Sequence, residues 1–223
     1  MSSLPNAHLL GIYFLLIVFF YDNTNGFNAE ENRLKYTAFG DFLISALPNP
    51  HLAFSFGAIA FGFCHIFYMF EYFERIKRIN FKILILIYLY NFIICYYFLI
   101  PKINEHPFVI CTLIFYSVIL STAIIASCSL ALETKKMKDI LRFIGYIFFF
   151  ISDSLLLLEY AGIEPANEII VLSTYYISQY SIMESSFKNK FIRTILYNFC
   201  TIKLLFFLTT RLTIFNIFKI SLN

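Results

Sequence analysis

The chain has 223 residues, of which 60% are hydrophobic, 20% aromatic and only 14% charged. That leaves too few charged residues to cover a water-soluble domain of this size, so a soluble fold is excluded. The net charge of +3 sits in short clusters, which suits membrane topology and argues against a nucleic-acid partner. The apolar runs are continuous rather than alternating, which excludes a β-barrel. The expected fold class is all-α, a polytopic membrane helix bundle forming a single transmembrane domain. Its core is 36–186, preceded by an N-terminal segment, 1–35, and followed by a basic, apolar tail, 187–223.

In chain order, residues 9–21 form an apolar run of marginal length for a span, with neither the basic start nor the cleavage site of a signal peptide. Residues 22–35 are polar. Residues 36–48 form a short segment carrying Asp41. Full spans are expected at 52–73, 80–100, 107–132, 141–160 and 168–186, with Pro48, Pro50, Pro101, Pro107 and Pro165 at segment ends. Residues 194–222 are apolar but interrupted by Lys203, Arg211 and Lys219, which permits either a span or an interfacial helix.

Basic residues set the orientation. Arg75, Lys77 and Arg78 share one loop, Lys135, Lys136, Lys138 and Arg142 a second, and Lys188, Lys190 and Arg193 a third. The intervening loops are nearly free of Lys and Arg, so alternate loops are basic and those three are expected on the cytosolic side. Six core spans then alternate in direction from 36 to 186.

Polar residues inside these spans are the candidate functional groups, because a carboxyl group in a lipid-spanning helix is costly and belongs against protein or water. Asp153 lies within GYIFFFISDSLLLLEY, residues 145–160, flanked by Ser152 and Ser154. Asp41 and Asp153 are each expected roughly 10 Å below the outer boundary, with Tyr175 and Tyr176 at that level and Gln179 and His65 deeper. Thr37, Asp41 and Ser45 recur every four residues as one polar stripe, and Tyr175 and Gln179 share a face. Ala58 and Gly62 form a small-residue patch with His65 close to the same face. The five cysteines, at 64, 95, 111, 128 and 200, stand singly in apolar runs and read as small core hydrophobes. No metal site is expected from them or from the four histidines. Two carboxyl groups in a poorly hydrated site can divide acid and base roles, which suits chemistry through an oxocarbenium ion. Residue types alone leave hydrolase, transporter and structural pairing open.

Four motifs narrow the choice. GDFLIS at 40–45, FGFCHIFY at 61–68, FFFISDSLLLL at 148–158 and TYYISQ at 174–179 occur in that order, each on its own expected helix. In this the chain resembles the lysoplasmalogenase-like (YhhN-type) membrane family. The resemblance implies an eight-helix bundle of the endoplasmic reticulum or another internal membrane. It also implies hydrolysis of the vinyl-ether bond of a lysophospholipid substrate, lysoplasmalogen, to a fatty aldehyde and a glycerophospho-ethanolamine or -choline. It assigns Asp41 and Asp153 as the catalytic pair, with His65, Tyr68, Tyr176 and Gln179 holding the aspartates or the head group, and it implies no metal or organic cofactor. One departure stands out: the family's second helix, with a Lys-Pro motif, has no counterpart between residues 21 and 36. A non-enzymatic transporter or lipid-binding protein, or an inactive truncated relative, is the alternative.

Overall fold

The computed structural model describes residues 37, 39–44, 47–163 and 167–186. The expected segments at 9–21, 22–35 and 194–222 lie outside them. The described residues are helical almost throughout. We label a short stretch over 39–44 α1, followed by α2 (Pro50–Tyr72), α3 (Phe81–Ile94), α4 (Pro107–Thr134), α5 (Met137–Tyr160) and α6 (Glu168–Ser186). Among the described residues, four stretches are long and apolar enough to cross a membrane: His51–Arg75, Phe81–Lys102, Pro107–Thr134 and Met137–Tyr160. Together with the absence of strands among the described residues, this makes the chain an integral, multi-pass, all-α membrane protein. α6 is of similar length but richer in hydroxyl side chains. Thr174, Ser178, Ser181 and Ser185 turn back onto carbonyls of their own helix, so they add no unmet donors.

Local chemistry sets the helix starts. Asn49 accepts from the amides of His51 and Leu52, with Pro50 in the first turn where its missing N–H costs nothing. Asn80 caps α3 in the same way through Lys82 and Ile83, and Asn167 accepts from the amide of Ile169. The expected span 80–100 differs at its end. After Ile94 the helix widens into a π-type turn, Cys95–Leu99, in which Ile100 donates to the Cys95 carbonyl five residues back. Pro101, which has no N–H to continue the ladder, follows inside a 3-10 turn.

The chain divides into two compact units between Thr134 and Lys135. In the first, α2 and α4 run parallel. Their rungs are His51 against His106 (ring centroids 3.9 Å), Phe56 against Phe108, His65 against Tyr116, and the Tyr72 hydroxyl donating to the Ala123 carbonyl at 3.2 Å. Beyond the helix the Lys77 amide donates to Glu133 Oε2. α3 returns antiparallel on α4 through Asn80–Ser129, Tyr88–Thr122 and Cys95–Ser117. Parallel neighbours joined by one antiparallel return are what alternating basic loops require. Gly62 faces Tyr116 and Ile119 of α4 at the small-residue patch expected there. The outer face of α3 is strongly apolar and exposed at Phe81, Ile85, Leu86 and Phe92, a surface suited to lipid.

The described residues of the second unit form an antiparallel pair. Rungs at about one-turn spacing join Arg142 to Ser185 and Ser186, Gly145 to Ser181 and Ile182, Phe149 to Tyr175 and Ser152 to Val171. A Cβ on Gly145 would lie 2.8 Å from Ile182 Cγ1 and 3.0 Å from the Ile182 nitrogen, so only glycine allows this approach. α5 starts at Met137 rather than 141, which moves Arg142 out of the basic loop and into the helix. It is fully buried. Its Nη1 pairs with Asp139 Oδ1 at 3.6 Å, its Nε donates to Ser185 Oγ at 3.2 Å, and its Nη2 donates to the Ser185 carbonyl at 3.3 Å and to Ser186 Oγ at 3.4 Å. A cation at the C-terminal end of α6 meets its last carbonyls with favourable dipole sign.

Candidate functional site

In the first unit α1 lies antiparallel on α2. Thr37 Oγ1 is hydrogen-bonded to Cys64 Sγ at 2.9 Å, Gly40 sits beneath the Phe61 ring, and Ile44 packs over Gly57. Thr37 is buried, so the polar stripe it shares with Asp41 starts against α2. Ser45, its third member, lies outside the described residues. The three rungs put half-buried Asp41 level with Ala60. His65 sits five positions further along α2, roughly 7 Å along the axis. His65 and Tyr68 are both 1% exposed, with the His65 ring 6.1 Å from that of Tyr116. These motif residues therefore form a descending series inside one unit rather than a single layer.

In the second unit Ser152 is fully buried and donates to the Val171 carbonyl at 3.0 Å. That bond fixes the helix face next to Asp153, which is half-buried one position, about 100°, further round. Tyr175 meets Phe149 edge-on at 5.7 Å and Tyr176 at 5.4 Å. The ladder corrects the expected depths here. Val171, not Tyr175, is opposite Ser152, so Tyr175 and Tyr176 lie about one turn closer to the Met137 end than Asp153, and Gln179 about one turn closer again. The cause is an offset of helix ends: α5 runs past the start of α6 by about a turn before the chain reverses at Ala161 and Gly162, the latter at φ 82°. Gln179 is 4% exposed, and its Oε1 has no hydrogen-bond partner. Tyr176 is half-buried.

The structure thus groups Asp41, His65 and Tyr68 in one unit and Asp153, Tyr176 and Gln179 in the other. Among the described residues, no three His, Cys, Asp or Glu side chains gather as metal ligands. Sequence reasoning missed the Asp139–Arg142 cluster, although the helical pattern of MKDILRFI and the i,i+3 spacing of the two charges were there to be read.

No curated protein and no solved structure matches this chain. The YhhN family model does match, over residues 10–186, taking in all four motifs and every described helix. With most of its length covered by that match, the chain belongs to the YhhN family.

Proposed function

We propose that this chain is a membrane hydrolase of lysoplasmalogenase type, acting on the vinyl-ether bond of a lysophospholipid by aspartate acid–base chemistry. What carries the reading is the setting of the two motif carboxyl groups. Asp41 and Asp153 are each half-buried in an apolar helix of a chain that belongs to the YhhN family. Carboxyl groups half-buried in apolar helices fit a chemical role better than a purely solvated one.

The reaction divides into steps such groups can serve. One carboxylic acid gives its proton to the vinyl carbon distal to the ether oxygen, forming an oxocarbenium ion. The other, ionised, stabilises that cation and takes a proton from the attacking water. The resulting hemiacetal breaks its bond to the glycerol oxygen, which leaves as an alcohol while the carbonyl of the aldehyde forms. No oxidant or reductant enters. His65, Tyr68, Tyr176 and Gln179 hold the aspartates or the polar head, and an internal membrane such as the endoplasmic reticulum is the proposed location.

Turnover of a lysoplasmalogen by purified full-length protein tests this reading. Aldehyde release that Asp41→Asn and Asp153→Asn each abolish supports it. Aldehyde release unchanged in both variants, or none from the wild type, removes it. Substrate-dependent flux into vesicles without aldehyde replaces it with a transporter.

A further inference from the structure

We infer that residues 73–82, which join α2 to α3, form a binding surface for the headgroups of anionic phospholipids in the adjacent membrane leaflet. The inference stands independently of the hydrolase reading and uses none of the motif residues.

This connector lies at the membrane boundary. One candidate span ends at Arg75 and the next begins at Phe81, so residues 76–80 run along the surface between them. Arg75, Lys77, Arg78 and Lys82 fall within eight residues, and all four are exposed. Against them stand Glu74 in the connector and Glu133 at the end of α4. Phe73, Ile79 and Phe81 are interleaved with the cations and are exposed as well, Phe81 to 72%, and Phe70 is 71% exposed one turn before. Rings and aliphatic groups left in water forgo the free energy of burial. In the headgroup region they reach the acyl chains while the cations meet phosphate and carboxylate groups. A cluster of Lys and Arg beside the cytosolic end of a span is the charge pattern that an anionic leaflet attracts.

Topology alone asks for the charges, not for a fixed loop. This loop is held. The Ile76 amide donates to the Phe73 carbonyl at 3.1 Å, the Lys77 amide to Glu133 Oε2 at 3.1 Å and the Asn80 amide to Ser129 Oγ at 3.0 Å. The last two bonds tie an otherwise extended stretch to α4, so its cations lose little backbone freedom when a ligand arrives. The field of α3 points the same way. Its first turn carries Lys82 and no acidic residue. A cation at the positive end of a helix dipole is unfavourably placed, and an anion brought beside it offsets that cost. Asn80 already accepts from the Lys82 and Ile83 amides, so it is the side-chain cations that meet the headgroup.

The test compares dioctanoyl phosphatidylserine with dioctanoyl phosphatidylcholine as ligands of the full-length protein in a neutral detergent. Arg78→Gln/Lys82→Gln is set against Lys188→Gln/Lys190→Gln, an equal change of charge in the third basic loop. Each cation beside an anionic headgroup contributes roughly fivefold. The wild type is therefore expected to prefer phosphatidylserine, and Arg78→Gln/Lys82→Gln to weaken that Kd roughly 5- to 25-fold, with the phosphatidylcholine Kd and the Tm unchanged. Lys188→Gln/Lys190→Gln is expected to leave both Kd values as they are. Salt at about 1 M, where the screening length is about 3 Å, is expected to abolish the wild-type preference, a readout that needs no variant to fold. A wild type without preference for phosphatidylserine overturns the inference, as does a preference that survives salt. A preference that falls equally in both double variants overturns it too, since diffuse positive charge then suffices. Inorganic phosphate bound as tightly as the lipid does the same, because the surface would then serve free anions.

Discussion

Replacing Arg142 by Met keeps the buried aliphatic stem and deletes the guanidinium. The structure makes this a severe change. The group is fully buried and serves one carboxylate, one carbonyl and two hydroxyls, at 3.2–3.6 Å. Its loss takes from Asp139, itself 1% exposed, the guanidinium at 3.6 Å and uncovers the Ser185 carbonyl at the end of α6. Removing one partner of a buried ion pair costs about 3–5 kcal/mol, against a whole-domain stability of about 5–15 kcal/mol. For a chain of this length that corresponds to a Tm roughly 6–20 °C lower in detergent. Asp139→Asn in the same background removes the charge that Arg142 met and should recover part of the loss, so the double-mutant cycle shows coupling of roughly 1–3 kcal/mol. The control is Lys138→Met, a neighbouring basic residue on the exposed face. If Arg142→Met lowers Tm no more than Lys138→Met, the reading of Arg142 as the clamp between α5 and α6 is wrong.

Three further outcomes follow from packing. Gly145→Val drives methyl groups into Ile182 and Ser181 and should lower Tm by the equivalent of about 1–3 kcal/mol or more, with turnover falling because the same register sets Tyr175, the neighbour of Tyr176, against Phe149 of α5. Tyr72→Phe removes a buried donor to the Ala123 carbonyl and should cost about 0.5–1.5 kcal/mol in a thermal or denaturant melt, without weakening lipid binding. Gln179→Leu trades an unmet buried amide oxygen for an apolar group, so thermal stability should hold or rise while lysophospholipid binding weakens. A drop in stability together with unchanged binding would show that Gln179 is interhelical glue.

The helices were legible because membrane spans obey few rules. Long apolar runs, prolines at their ends and alternating basic loops fixed five of the described helices to within a few residues, and α6 was placed at its observed bounds, Glu168–Ser186. The start of α5 was missed because Lys135, Lys136 and Lys138 read as a loop, whereas Asp139 and Arg142 satisfy one another inside the first turns of the helix. The π-type turn at Cys95–Leu99 has no compositional signature. The motif residues were found by type and order. Their relative depth was misjudged in the second unit, because counting from helix ends assumes that the ends are level, and the Ser152–Val171 bond shows they are not.

The most direct test of the account is aldehyde release from a lysoplasmalogen by the purified chain, alongside Asp41→Asn and Asp153→Asn variants that keep wild-type Tm. The account predicts turnover by the wild type and a loss of at least about 100-fold in each variant, since a positioned acid or base contributes about 10²–10⁴-fold. Wild-type turnover that survives both substitutions would contradict it.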